Sequence, residues 1–167
     1  GGKREAAGPS GEALHELAET DAKRVVFALT LGTSPEKRPW GLGTDGKIVH
    51  APRGEAHAVL VAADDGALSI RTQAELPKDP GHHDFAELPL LADQGKAIGD
   101  RAARGALGLT ADGTVYIARS STPSRGVVDA LVAAGCTRVV QLDRGGSDAV
   151  SWHRSGTPTP PHASYDA

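Results

Sequence analysis

The sequence predicts an α+β fold: a mixed β-sheet built from hairpins with a few helices packed on it, in a single domain. Two observations predict the sheet: short β-branched or apolar runs recur from Arg24 onward, and Asp-Gly pairs stand between several of them. A third predicts the helix, because Gly126–Ala134 carries apolar residues at 127, 128, 131 and 132 and is followed by Gly135.

The first strand candidate is Arg24-Val-Val-Phe-Ala-Leu-Thr-Leu31, preceded by a short amphipathic helix over Ser10–Glu19 with Leu14 and Leu17 on one face. Lys47–His50, Ala56–Ala62 and Leu68–Ile70 follow as strands, with hairpin turns at Asp45-Gly46 and Asp64-Asp65-Gly66. The Pro, Gly and Asp content of Pro77–Asp84 predicts a surface loop. Ala106–Leu109 and Thr114–Ala118 form a second hairpin about Asp112-Gly113. Ser120–Ser124 then reads as a polar loop before the helix, and Arg138–Asp143 as a buried strand running into a glycine turn.

At 167 residues the chain fits one domain. Its ends set the limits: residues 1–11 and the Pro-rich 156–167 read as flexible segments around an ordered 12–155. With no Met in the chain, Gly1 is expected to follow a removed initiator or a cleaved precursor. Aromatic residues make up only 4%, so the core must be built from Ala, Val, Leu and Ile.

The net charge of -3 and the interspersed signs argue against a phosphate-tracking nucleic-acid surface. No apolar run approaches the roughly 18 to 20 residues that span a bilayer, so no membrane span is expected. The single Cys136 excludes an internal disulfide and a multi-cysteine zinc site, and its small apolar neighbours predict a buried thiol. Neighbouring His82 and His83 point to opposite faces of an extended chain and lack further ligands nearby, so no metal is assigned.

The end of the last strand holds the densest chemistry. Asp143 enters Arg144-Gly145-Gly146-Ser147, joining a carboxylate, bare backbone N–H groups and a hydroxyl, a set that suits a sugar hydroxyl, a phosphate or a cation. The competing reading is a plain strand-ending turn in which Asp143 caps local amides.

Taken together, Arg104-Gly-Ala-Leu-Gly108, the Asp112-Gly113 hairpin, the helix from Gly126 and Leu142-Asp-Arg-Gly-Gly-Ser147 resemble, in order and spacing, the C-terminal unit of the phosphodiester glycosidase family. Trp40-Gly-Leu-Gly-Thr-Asp-Gly46 and Leu90-Leu-Ala-Asp-Gln-Gly-Lys96 resemble two of its upstream segments. The resemblance covers roughly Phe27 to Trp152. It implies a hydrolase acting on a phosphate-linked sugar or exopolysaccharide, in a secreted, periplasmic or extracellular setting.

In that reading Asp143 and Arg104 are catalytic: Arg104 supplies a bidentate donor to a phosphodiester oxygen and Asp143 acts as acid, base or cation ligand. Arg144, Gly145, Gly146 and Ser147 would bind the carbohydrate or sugar-phosphate ligand. No cofactor is required, although Asp143 is compatible with calcium. Glycosyl hydrolysis commonly uses two carboxylates, and Asp45, Asp93 and Asp148 are the candidates for the second.

Two departures are visible. Phe27-Ala-Leu-Thr-Leu-Gly-Thr33 stands where the family carries Asn-Gly-Gly-Phe, and Arg144 replaces the first glycine of the terminal triplet. Either implies altered specificity or lost catalysis, so the alternative is a silent family member that binds glycan or serves as an interaction or assembly module.

Overall fold

A computed structural model describes residues 41–44, 47–54, 57–63, 65–76 and 84–142. The predicted elements Ser10–Glu19 and Arg24–Leu31, the loop residues 77–83 and the whole of 143–167 lie outside the described residues.

Nine strands and one α-helix are assigned among the described residues. They run β1 (Leu42–Thr44), β2 (Lys47–His50), β3 (His57–Ala62), β4 (Leu68–Thr72), β5 (Asp84–Asp93), β6 (Lys96–Ala97), β7 (Ala103–Thr110), β8 (Val115–Ser124), α1 (Gly126–Ala133) and β9 (Cys136–Gln141). A single 3-10 turn, Gln73–Glu75, follows β4. The fold is therefore mostly β, and compatible with α+β. Every described strand pairing is antiparallel, where a mixed sheet with several helices was expected.

The strand that organises this sheet was not anticipated. β5 pairs with β1, β3, β6 and β9, whereas its segment Asp84-Phe-Ala-Glu-Leu-Pro-Leu-Leu-Ala-Asp93 has neither strand-like alternation nor freedom from Pro. Burial explains the lost alternation: from Phe85 to Ala92 only Ala86 is not buried, and a strand covered on both faces needs apolar residues at consecutive positions. Pro89 has no N–H to give, and it stands at the last pairing of the β3 ladder, opposite His57, after β1 has paired at Phe85 and Ala86 and before β9 begins at Leu90. The β5–β6 turn is carried by Gln94 (φ 48°) and Gly95 (φ 71°), the two left-handed positions a tight hairpin requires.

The β5–β9 register shifts between Leu90 and Ala92, a bulge that bends β5 where its partners change. One core cluster joins Ala58 of β3 and Ile70 of β4 to Leu88 and Leu90 of β5, Leu107 and Leu109 of β7, Val140 of β9 and Leu142. The two halves of the sheet thus share one apolar interior. On a second face, Val127, Val128 and Leu131 of α1 pack on Leu91, Ala92, Ala103, Ala106, Cys136 and Val139, as the helix periodicity predicts. Val59, Val61 and Phe85 form a third, smaller cluster.

Close backbone approach explains the glycines of Gly41-Leu-Gly43. A Cβ on Gly41 would lie 2.7 Å from Pro52 Cα, and one on Gly43 would enter the ring of Phe85, its cross-strand partner. Ser120–Ser124, expected in a loop, complete β8 instead, because the β7–β8 ladder extends to Ala103↔Ser124. Polar and β-branched residues suit that position, since β8 ends the run of paired strands and most of it is exposed.

Cys136 is buried as expected, and desolvation raises its thiol pKa, which keeps it inert. Its sulfur fills the space over Gly108: a Cβ there would lie 2.6 Å from Cys136 Sγ. Gly108→Ala is expected to lower stability by about 1–3 kcal/mol in urea unfolding, and Cys136→Ala, which removes the nearest atom, to recover part of that loss. Equal stability of Gly108→Ala and the parent chain would contradict this packing.

Candidate functional site

Arg104 lies in β7 at the register shift between Ala103 and Gly105, and it is half-buried. Its Nε is enclosed, with less than 1 Å² exposed. β9 runs beside it: Ala106 pairs with Gln141, and the Leu142 N–H donates to the Gly105 carbonyl at 2.9 Å. The last described residue of the chain therefore leaves the sheet alongside the neighbour of Arg104. Asp143, Arg144, Gly145, Gly146 and Ser147 lie outside the described residues, as do Asp45 and Asp148.

Asp93, a candidate second carboxylate, has other work. Arg138 of β9 donates from Nε to Asp93 Oδ1 at 2.8 Å, from both terminal nitrogens to Glu75 at 2.5 and 2.7 Å, and from Nη1 to the Ile70 carbonyl at 2.7 Å. One half-buried guanidinium thus ties the middle of β4, the 3-10 turn and β5 to β9. Hydrogen bonding to Arg138 holds the Glu75 carboxyl down at about 2, and the same contact raises the Arg138 pKa. Nothing in the sequence marked Arg138, because its partners are 45 to 68 residues away.

A second buried polar centre was equally invisible. Glu87 of β5 is the one buried charged side chain among the described residues, with 2% exposure. Its Oε2 accepts from the Gly41 N–H at 2.6 Å, Oε1 accepts from the Gly54 N–H at 2.9 Å, and the Arg53 N–H is shared between them at 3.0 and 3.1 Å. The Glu87 N–H returns a bond to the Gly41 carbonyl at 2.7 Å. His57 Nδ1, at the start of β3, lies 3.4 Å from Oε1.

Burying a lone carboxylate costs several kcal/mol, while hydrogen bonds to a charged group return about 1.5–3 kcal/mol each. Three amide donors bring the balance near zero. Glu87 therefore fixes where the 52–54 segment lies without adding much net stability.

His50 is half-buried at the end of β2, and the exposed Asp112 is engaged by the Thr110 hydroxyl and the Thr114 N–H, which lower its pKa. Arg101 donates to the Leu90 carbonyl at 3.2 Å, and Arg125 at the start of α1 pairs with Asp100 and Asp129. Among the described residues no group of three or more His, Cys, Asp or Glu side chains is arranged to hold a metal ion. No helix among them is long and apolar enough to cross a membrane.

No protein-family model matches the chain, and no curated protein matches it either.

Two expectations follow from the polar centres. Glu87→Gln, which in either amide orientation turns an NH2 donor toward a backbone N–H, should cost about 2–4 kcal/mol in urea unfolding; a loss under about 1 kcal/mol would contradict the cradle. For Arg138, the depressed Glu75 carboxyl contributes stability above its ordinary value of 4.5 that is lost as pH falls toward 2. Arg138→Met should cost about 1–3 kcal/mol at neutral pH, less than a fully buried pair would, because the Glu75 carboxylate is 46% exposed. The same variant should flatten stability between pH 4.5 and 2. An unchanged acid slope in Arg138→Met would remove the clamp from the account.

Proposed function

We propose that the chain is a hydrolase of phosphate-linked sugars, resembling the phosphodiester glycosidases, with Arg104 and Asp143 at its centre. The observation that carries this reading is the register at the end of β9. Leu142 bonds to Gly105, so the covalently next residue, Asp143, follows directly from a strand end beside Arg104.

In the proposed reaction the Arg104 guanidinium engages the phosphodiester oxygens and stabilises the charge that grows as the bond between the anomeric carbon and its oxygen breaks. Asp143 gives a proton to that departing oxygen, a water oxygen forms the new bond to the anomeric carbon, and the proton this water sheds passes to solvent, from which Asp143 is reprotonated. Gly145 and Gly146 offer backbone N–H groups, and Ser147 and Arg144 offer side-chain donors, to the sugar phosphate. The bond electrons leave with the phosphate monoester.

Arg144 favours a second reading. A cation beside Asp143 in sequence, where the family carries glycine, suits a silent module that binds glycan or a protein partner without turnover.

Hydrolysis of a chromogenic sugar phosphodiester separates the two. The hydrolase reading predicts turnover that falls about 10²–10⁴-fold in Asp143→Asn and about 10²–10³-fold in Arg104→Lys, where the bidentate fork is lost. Saturable sugar-phosphate binding with no turnover would select the glycan-binding silent module, and neither binding nor turnover would exclude both it and the hydrolase, leaving the protein-interaction module.

A further inference from the structure

Strand β8 stands at one end of the run of paired strands, and among the described residues it pairs with β7 alone. An edge strand presents a row of unpaired N–H and C=O groups, which proteins guard with charges, prolines or bulges. The second half of β8 is guarded in that way. Ser120–Pro123 lie between the pairs Gly105↔Arg119 and Ala103↔Ser124, a bulge that ends in proline. The first half, Val115-Tyr-Ile-Ala-Arg119, is open: its one charge stands at its end, and Tyr116 and Ile117 are 41% and 40% exposed. By contrast, β2 opens with Lys47 and β4 carries Arg71.

The hydrogen bonds of β7 say which groups this edge offers. The Thr110 N–H donates to the Thr114 carbonyl at 3.1 Å, so Thr114 is turned toward β7. Gly105, opposite Arg119, gives its carbonyl to the Leu142 N–H on the β9 side at 2.9 Å. Antiparallel partners alternate between bonded and non-bonded pairs. Both ends of the ladder therefore agree: Tyr116 and Ala118 turn their backbone groups toward β7, while Val115, Ile117 and Arg119 turn theirs outward.

We propose that β8 is a dimerisation edge, paired antiparallel with β8 of a second copy of this chain about a two-fold axis at Tyr116. Val115 and Ile117 exchange hydrogen bonds with Ile117 and Val115 of the second copy. Tyr116 meets its own counterpart in the non-bonded pair between them, where Cα atoms come within about 4.5 Å and side chains pack most closely. In this register Arg119 stands opposite Gly113 of the second copy and next to its Asp112, so unlike charges meet on both sides of the axis. Both charges are exposed and open to that contact. Among the described residues Asp112 is met only by uncharged donors, the Thr110 hydroxyl and the Thr114 N–H, and no ion pair uses Arg119. The occupant is a second copy because the edge complements itself, with a carboxylate at one end, a cation at the other and apolar side chains between.

Sedimentation equilibrium of the full chain at low ionic strength tests this, with a concentration-dependent dimer expected at or below about 1 mM chain, as suits a short ladder. Arg119→Glu and Asp112→Arg should each weaken self-association about tenfold, because each sets like charges together on both sides of the axis. An equimolar mixture of the two variants restores both ion pairs and should dimerise as the parent does. In a Cys136→Ala background, where the introduced thiol is alone, Tyr116→Cys should cross-link two chains on oxidation. A chain that stays monomeric throughout this range overturns the proposal, whether or not the edge then takes an extended peptide of another protein. A dimer that neither charge variant weakens and Tyr116→Cys does not trap has its interface elsewhere, and overturns it too.

Discussion

The backbone of β5 is the constraint on which the rest of this structure depends. Four strands pair with its ten residues, and the change of partner from β1 and β3 to β9 and β6 takes place within Pro89–Ala92. A strand asked to serve two ladders cannot be regular. Pro89 supplies a position with no donor where one ladder ends, and the bulge at Leu90/Ala92 turns the chain toward the next. The bend lets Ala58 and Ile70 from one half of the sheet meet Leu107, Leu109 and Val140 from the other. That contact explains how a chain with so few aromatic residues assembles a continuous core from Leu, Ile, Val and Ala.

Two charged side chains then hold the peripheral segments to this spine by different physics. Arg138 works at partial exposure with partners whose charges oppose its own, so its contribution is modest in neutral solution and fades in acid. Glu87 works in full burial against uncharged backbone dipoles. The carboxylate replaces hydration by amides of Gly41, Arg53 and Gly54, a near-neutral exchange in free energy but a demanding one in geometry. The absence of Cβ atoms at Gly41 and Gly54 is part of that geometry, since both positions are closed by neighbours.

Much of the fold was legible because its signals are local. Lys47–His50, the β3–β4 hairpin, the β7–β8 turn at Asp112-Gly113, and the apolar stripe of α1 all reflect spacings of two or of three to four residues, and the structure has them where the sequence predicted them. β5 was illegible because burial on both faces erases the period of two, while Glu87 and Pro89 each read as breaks when their partners are unknown. β8 was cut short for the opposite reason: Ser120–Ser124 are polar because they are exposed on the sheet, not because they leave it. The candidate site was legible only as composition. Arg104 and Asp143 are 39 positions apart in sequence, and it is the β7–β9 register, a non-local property, that brings Gly105 beside Leu142. Glu87 and His57 carried no motif at all.

The proposed site rests on Arg104 in β7 and on the register that sets Leu142, at the end of β9, against Gly105. Its most direct test is a crystal structure of the chain soaked with a sugar 1-phosphate. The account predicts phosphate oxygens bonded to the Arg104 guanidinium and to backbone N–H groups of Gly145 and Gly146, with the anomeric carbon beside Asp143. Asp143 paired with Arg144 across a closed, ligand-free site would contradict it and leave the sheet as a scaffold for binding partners.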